Sequence, residues 1–529
     1  MRKHVLIGNL LFLLLSFSCN NNNKTQSSSV KSLELKRGEI VSCGPQEGEV
    51  FGTVSFNATV PSELRKDFNT GIALLHSFEY DEAEKMFAKV IDQSPDCAMA
   101  YWGVAMSNFH PLWMPPGPSE LQKGKQAIEI ARSIKNKTKR ESDYIEAIGK
   151  FYEHPEELDH RSRVLNFEKA MEAVYKNYPE DKEAVVFYAL ALNAAADPTD
   201  KSYARQRKAL DLLNPVFQQE PLHPGIAHYI IHNADYPAIA EIALPAARKY
   251  ASIAPASAHA QHMPSHIFIA LGLWDESIKS NLVSVSSAQC YAEKAGIKGH
   301  WDEELHAIDY LVYAYLQKKE DELARQQVEY LQTMNEVYPV NFKVAYAFAA
   351  SPARYALERK NWKEAAMLQL HHGNISWEKF PWQEAIIHFA KLIGNVHLDK
   401  TDEAKKELDT LKSLYDKLNT TKDKKMEAAQ VAVQVKASEA WLEFKQGNND
   451  KALELMRAAA DMEDAMEKHP VTPGAVIPAR ELLGEMLLEM NKPSLALEAF
   501  EQDIKTHPNR RNGLNGLMAA RQQSGNNKK

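Results

Sequence analysis

Two four-point patterns, one near each end, constrain this chain more than anything else in it. Gly71, Ala83, Phe87 and Pro95 are separated by 12, 4 and 8 residues, and Gly484, Ala496, Phe500 and Pro508 repeat the same residue types at the same intervals. Small residues let two antiparallel helices approach closely. The aromatic fills the space against the next helix, and the proline closes the unit because it cannot continue a helix. Such a unit buries its apolar face only by stacking on its neighbours.

These spacings are those of the 34-residue tetratricopeptide (TPR) unit. They predict an all-α fold, a TPR-type antiparallel helix-pair superhelix, or α-solenoid. Weaker copies lie between. Ala440, Ala452 and Met456 keep the intervals of 12 and 4, Ala353 and Ala365 keep the 12, and Leu271 to Ser277 has the shape of an inter-helix turn. Helical pairs are also expected at about 98–150 and 160–213, with breaks at 110–118, 196–200 and 420–425. Residues 378–425 are helical by period without being recognisable repeats.

The N-terminus reads as an export signal. Arg2 and Lys3 precede an apolar run from Val5 to Leu15, too short to span a bilayer as a mature helix. Ser16-Phe17-Ser18-Cys19, followed by four asparagines, resembles a bacterial lipobox, although Leu15 stands one place earlier than usual. The expected organisation is therefore a lipoprotein signal peptide at 1–19 and a polar tether at 20–38, with Cys19 acylated as a membrane anchor. The expected place is the cell envelope, on the outer membrane facing the periplasm or on the cell surface. An irregular lead-in follows at 39–66, with a short strand expected within 50–56. Three helical segments complete the chain: N-terminal TPR-like pairs at 67–215, a histidine-rich segment at 216–320 and C-terminal repeats at 321–522.

After Cys19 only Cys43, Cys97 and Cys290 remain, with no CxxC spacing. Each reads as a small buried hydrophobe, with Cys43–Cys97 as one conceivable disulfide. A net charge of −7 lacks the basic footprint of a nucleic-acid binder. HExxH, GxSxG and GxxxxGK[ST] are all absent from the sequence.

The histidines are unevenly spread. Eight of the 19 fall within 223–306, where an even distribution would place about three. His228 and His232 stand at i and i+4 behind Pro224, on one face of an expected helix. His259, His262 and His266 follow at spacings of 3 and 4, but Pro264 disfavours a helical Met263, so a new helix is expected to begin there. Two antiparallel helices would then present His228/His232 opposite His262/His266. Imidazole suits Zn, Cu, Fe and Ni, and the metal candidates are His228, His232, His259, His262 and His266, with Zn or Cu the expected ion. Asp235 and His306 are candidates to complete or orient the site. His300 reads as packing, and His154, His160, His371 and His372 as surface residues. The acidic run Asp302-Glu303-Glu304 reads as a helix start that supplies a carboxylate only if it turns inward.

Leu74 to Ala83, Cys97 to Gly103, His223-Pro224-Gly225 through His232, and His262-Met263-Pro264-Ser265-His266-Ile267 together resemble a poorly characterised family of exported bacterial TPR proteins. The resemblance implies a TPR fold and export, and brings no reaction with it. Two functions are expected to compete. One is an envelope scaffold that binds a protein or peptide partner in the concave groove. The other is a metal-dependent protein, hydrolytic or redox, using the histidines.

Overall fold

The structure is a computed structural model that describes residues 32–526 apart from 47, 49 and 113. The expected signal peptide at 1–19, with Cys19, and most of the expected tether at 20–38 lie outside the described residues. Helices account for nearly all the regular structure. Most pack on the next along the chain, and alternate helices also touch: Arg65–His76 with Ala98–Ser107, Asp302–Gln317 with Phe342–Glu358, Phe342–Glu358 with Pro381–His397, and Ala479–Glu489 with Arg511–Asn526. This is the TPR-type helix-pair superhelix, and Pro381–His397 and Thr401–Thr420 join it as a pair although their sequence carries no repeat signature. No described helix is long and apolar enough to cross a membrane.

The repeat residues pack as their spacing requires. A Cβ on Gly71 would lie 2.9 Å from the Phe87 ring, and one on Gly103, in the next helix, 2.5 Å from it. Phe500 lies in the same way between Gly484 and Gly516. Each aromatic is fully buried, so the glycines provide the slots in which the helix pairs interlock.

The inner helices are buried on every side. All residues of Ala98–Ser107 and of Pro224–Ala234 are buried, as are nearly all of Asp302–Gln317 and Phe342–Glu358. An α-helix apolar all round is one with no solvent face. Here the inner helices Asp302–Gln317 and Phe342–Glu358 are covered in part by the chain's own irregular segment 466–478. Its carbonyls accept hydrogen bonds from Tyr310 (Val471 O, 2.9 Å), Tyr346 (Gly474 O, 2.7 Å) and Arg354 (Gly474 O, 3.2 Å). The C-terminal repeats also reach back. Trp274 donates to Asn509 O at 2.9 Å, Glu467 takes Lys201 and Tyr203 at 2.6 Å each, and the fully buried Arg510 pairs with Glu358 and Glu481 and donates to Tyr313.

Three expectations are corrected. Residues 50–56 form no strand. Phe51, Val54 and Phe56 are buried in an extended run whose backbone is satisfied by Leu222 O and the Asn69 side chain, not by a neighbouring strand. The strands among the described residues are His300–Trp301 and Val337–Tyr338, paired in parallel. Residues 33–37, expected to be solvated tether, pack on the fold: Leu33 and Leu35 are buried and Arg37 makes two bonds to Asp92. Cys43 pairs with Cys290, not Cys97, tying the lead-in to the Trp274–Lys294 helix; Cys97 is free and buried.

Candidate metal centre

The histidines are brought together by three local features. His223 caps the Pro224–Ala234 helix through Nδ1, which accepts from Ile226 N, and Pro224 takes the first turn. His228 and His232 follow on one buried face. Ser257 caps Ala258–His262, and Met263 is helical after all (φ −53°, ψ −35°). The chain therefore runs almost unbroken into Pro264–Ala270. A proline in the first turn of a helix needs no N–H, so the two short helices join without losing a bond there. His259, His262 and His266 thus share one face. The Asp302–Gln317 helix adds His306.

These six residues form two clusters, His228/His232/His259 and His262/His266/His306, in each of which the candidate ligand atoms lie within 4.8 Å of one another. The clusters adjoin, with the His232 and His266 ring centres 6.5 Å apart. The expected opposition of His228/His232 to His262/His266 therefore becomes a different partition. His259 completes the first cluster, and His306 joins the second as a candidate ligand.

Ring tautomers follow from the hydrogen bonds. His262 Nδ1 lies 2.7 Å from Asn281 Oδ1, whose amide is oriented by Nδ2 donating to Ser277 O. Only an acceptor faces His262 Nδ1, so that nitrogen carries the proton and Nε2 is a bare lone pair. His266 Nδ1 lies 2.8 Å from Asp235 Oδ2, an oxygen that also takes the Lys468 ammonium at 2.7 Å and so carries no proton itself. Tyr310 stands 3.2 Å from His266 Nε2 but spends its hydrogen on Val471 O. His266 Nε2 is therefore bare too, and it faces His262 Nε2 at 3.1 Å. In the first cluster His228 Nδ1 donates to His76 O at 2.7 Å, leaving its Nε2 lone pair 2.9 Å from His232 Nε2 and 3.2 Å from His259 Nε2. Nitrogens bound tetrahedrally to a first-row ion at ~2.05 Å stand about 3.3 Å apart.

Burial keeps His228, His232, His262, His266 and His306 neutral. It holds His228, His232, His266 and His306 well below the ordinary imidazole range and pushes His262 down to about 4. Neutral imidazole is the form that binds metal.

Carboxylates and cations frame the clusters. Asp235 orients His266, as a residue behind a metal ligand does. The acidic helix start turns inward: Asp302 and Glu304 are buried, and Lys343 bridges Asp302 (2.7 Å) and Glu303. Glu303 Oε2 lies 3.8 Å from His259 Nδ1, and the nearby Lys343 ammonium holds the Glu303 carboxyl well below its usual range against the opposing effect of burial. A third group, His76/Glu183/His223, differs in kind. Each Glu183 oxygen meets one imidazole nitrogen at 3.0 Å, so its atoms satisfy one another. It serves to hold the His76 carbonyl that fixes His228.

His306 has no helical-spacing partner among the other histidines, so position along the chain does not mark it. Asn281, Lys343 and Lys468 also carry no motif, whereas Glu303 belongs to the acidic run Asp302-Glu303-Glu304. His300 bonds Glu304 outside the clusters. His371 is half-buried and not free on the surface as expected: it stacks on Phe348 at 3.7 Å and donates to Met334 O.

No family model and no curated protein matches the chain. Among solved structures, 88% of it aligns with the whole TPR domain of P58(IPK) at 13% identity and a TM-score of 0.20. In the structure of Naa15/Naa10 bound to HypK-THB, 83% of it aligns with 63% of a chain at 9% identity and a TM-score of 0.24. A circular tandem repeat protein aligns over 88% of this chain and 99% of its own, at 9% identity and a TM-score of 0.13. Likenesses this distant carry no argument; the TPR-type assignment rests on the helix pairing and on the glycine–phenylalanine interlocks.

Proposed function

We propose that the protein is a metalloprotein whose TPR-type superhelix encloses two adjoining three-histidine sites, His228/His232/His259 and His262/His266/His306. One observation carries this reading. His262 and His266, whose Nδ1 protons are committed to Asn281 and Asp235, aim bare Nε2 atoms at one another in a buried space, at the spacing of ligands around a single ion, and the bare Nε2 of His228 faces His232 and His259 at the same spacing. Three protein ligands with a further position open is the pattern of catalytic metal sites. The ligand set suits Zn or Cu, and charge favours copper. Six neutral imidazoles offset no positive charge, and Asp235 and Glu303 are already paired with Lys468 and Lys343. Two cuprous ions bring half the charge of two zinc ions into this buried volume. A bound metal would supply Lewis acidity or electron transfer; the chain's residues hold the ligand tautomers and, through segment 466–478, exclude water.

The test is titration of metal-free protein with Cu(I) and with Zn(II) against a chelator of known affinity. Uptake of two equivalents, with copper held more tightly, is expected. No uptake of either ion overturns the reading.

The helix-pair stack also supports an envelope scaffold for a protein or peptide partner, anchored to a membrane through an acylated Cys19. Segment 466–478 covers part of the middle helices, so a partner would meet other surfaces or displace that segment. Fatty-acid labelling of the expressed precursor, lost in Cys19→Ala, tests the anchor; a precursor that takes no label rules it out.

A further inference from the structure

Segment 466–478 leaves the fold and returns to the same place. It joins the Asn449–Asp464 and Ala479–Glu489 helices, and Glu463 at the end of the first accepts Ala479 N at the start of the second at 2.5 Å. A loop of this length with its ends held together is an Ω-loop, and lids are drawn from such local units. Val476 and Ile477 fix the base, because both are buried in the core of the C-terminal repeats. Residues 467–475 are held differently. Val471 is buried but joins no hydrophobic cluster. The contacts are mainly polar: Glu467 to Lys201 and Tyr203, Lys468 to Asp235, Val471 O to Tyr310, and Gly474 O to Tyr346 and Arg354. His469 adds a ring 5.1 Å from Phe342 and 5.3 Å from Trp382.

Cavities flank these residues on two sides. One of about 40 Å³ lies toward Trp382 and Phe389, and one of about 310 Å³ toward Trp274 and Tyr313. Lys468, Gly474 and Ala475 line both, so the segment is the wall between them. It also closes the second histidine cluster, where His262, His266 and His306 are 0%, 3% and 6% exposed. Lys468 holds Asp235, the carboxylate behind His266. Val471 O holds Tyr310, whose ring packs 4.6 Å from His262 and 5.2 Å from both His266 and His306. The larger cavity already reaches the next helical turn on both elements, since Ala270 is four residues beyond His266 and Tyr313 three beyond Tyr310. Its outer end is open, where Lys201, Ala238 and Lys505 are exposed. Lifting the segment would join this cavity to the cluster. In the first cluster, by contrast, His259 lines a separate cavity and its side chain keeps 11% exposure.

We propose that segment 466–478 is a lid over the second cluster, opening on the Glu463–Ala479 base. A metal ion enters and leaves His262/His266/His306 through the larger cavity when the lid lifts, and the first cluster exchanges its ion independently of the lid. The lid draws Lys468 off Asp235 and Val471 O off Tyr310 as it rises, so exposure of the site and release of its framing residues are one event. The proposal rests on the metal-centre reading for its ion, but the lid's motion is measurable in metal-free protein.

The experiment follows removal of Cu(I) by bathocuproine disulfonate from the protein lacking residues 1–19, loaded with two equivalents, and amide hydrogen exchange of the same protein without metal. Tyr346→Phe/Glu467→Ala removes three of the lid's hydrogen bonds and leaves the six histidines, Asp235 and Lys468 in place. Tyr346→Phe alone serves if the double variant does not fold. Two phases of copper loss are expected, the slower one absent from His262→Ala/His266→Ala. The lid variant should speed the slower phase at least tenfold and leave the faster unchanged. Amides of 467–475 should exchange faster in it, with the two flanking helices unaffected. A single phase, a slow phase that the variant leaves unchanged, or equal acceleration of both overturns the proposal and leaves the metal centre standing. Exchange of 467–475 only together with the flanking helices overturns it as well. A protein that takes no metal, yet whose 467–475 amides open alone, keeps the lid and sinks the metal reading.

Discussion

His262 and His266 hold their Nε2 atoms 3.1 Å apart while both Nδ1 protons are committed elsewhere, to Asn281 and to Asp235. Two lone pairs at that distance repel. A proton between them would relieve the repulsion, but burial disfavours a charged imidazole at either ring. A metal ion relieves it by accepting both lone pairs, and the two nitrogen–metal bonds offset the cost of the buried charge.

Asp235 is the lever on this arrangement. Asp235→Asn keeps the shape but loosens the tautomer of His266. Metal affinity of the second cluster should fall 10–100-fold, with the first cluster unaffected. Competition titration would resolve the two sites, and equal weakening of both would contradict the assignment of Asp235 to His266.

The Cys43–Cys290 bond closes a loop across a sequence separation of 247 residues. Its loss in the double serine variant should cost about 2–4 kcal/mol, read as a lower melting temperature. Alkylation of the unfolded protein lacking residues 1–19 should label Cys97 alone before reduction and all three cysteines after it.

Arg510 joins the last repeat to the middle of the superhelix. It is fully buried, 2.6 Å from Glu358 and 3.2 Å from Glu481. Removing one partner strands buried charge, so Arg510→Ala should destabilise by about 3–5 kcal/mol. Urea unfolding measures this, and a loss below about 1 kcal/mol would mean that the last repeat does not depend on the network.

His397 lies between Trp362 and Trp441, at ring distances of 4.0 and 4.6 Å, and burial pushes it down to about 4. Its folded pKa lies below the ordinary ~6.5, so the unfolded chain takes up this proton first. Stability is intact above about pH 6.5 and is lost as pH falls toward 4. The slope contributed is at most ~1.4 kcal/mol per pH unit, less because the ring is partly exposed. His397→Phe should flatten the melting-temperature profile over that interval; an unchanged slope would assign the acid sensitivity to other groups.

The repeats were legible because helix pairing imposes a fixed exchange of small for large. Phe87 against Gly71 and Phe500 against Gly484 are read directly from spacing. The i, i+4 pair His228/His232 was legible for the same reason, since one helix face is a local property. Nothing local joins His306 to His266, or Cys43 to Cys290, because those contacts come from stacking distant units. Pro264 misled in one respect. It suggested a break, yet Met263 stays helical, which is what lines up His259, His262 and His266. Segment 466–478 carries no motif, and its cover over Tyr310 and Tyr346 arises only when the C-terminal repeats fold back.

The central claim is most directly tested by elemental analysis of the protein lacking residues 1–19, purified without chelator or nickel, beside the two paired variants His228→Ala/His232→Ala and His262→Ala/His266→Ala. Two equivalents of a transition metal, copper foremost, are expected in the wild type, falling to one in each variant. A wild type that carries no metal and takes up none when offered copper or zinc would contradict the account and leave the six histidines as packing.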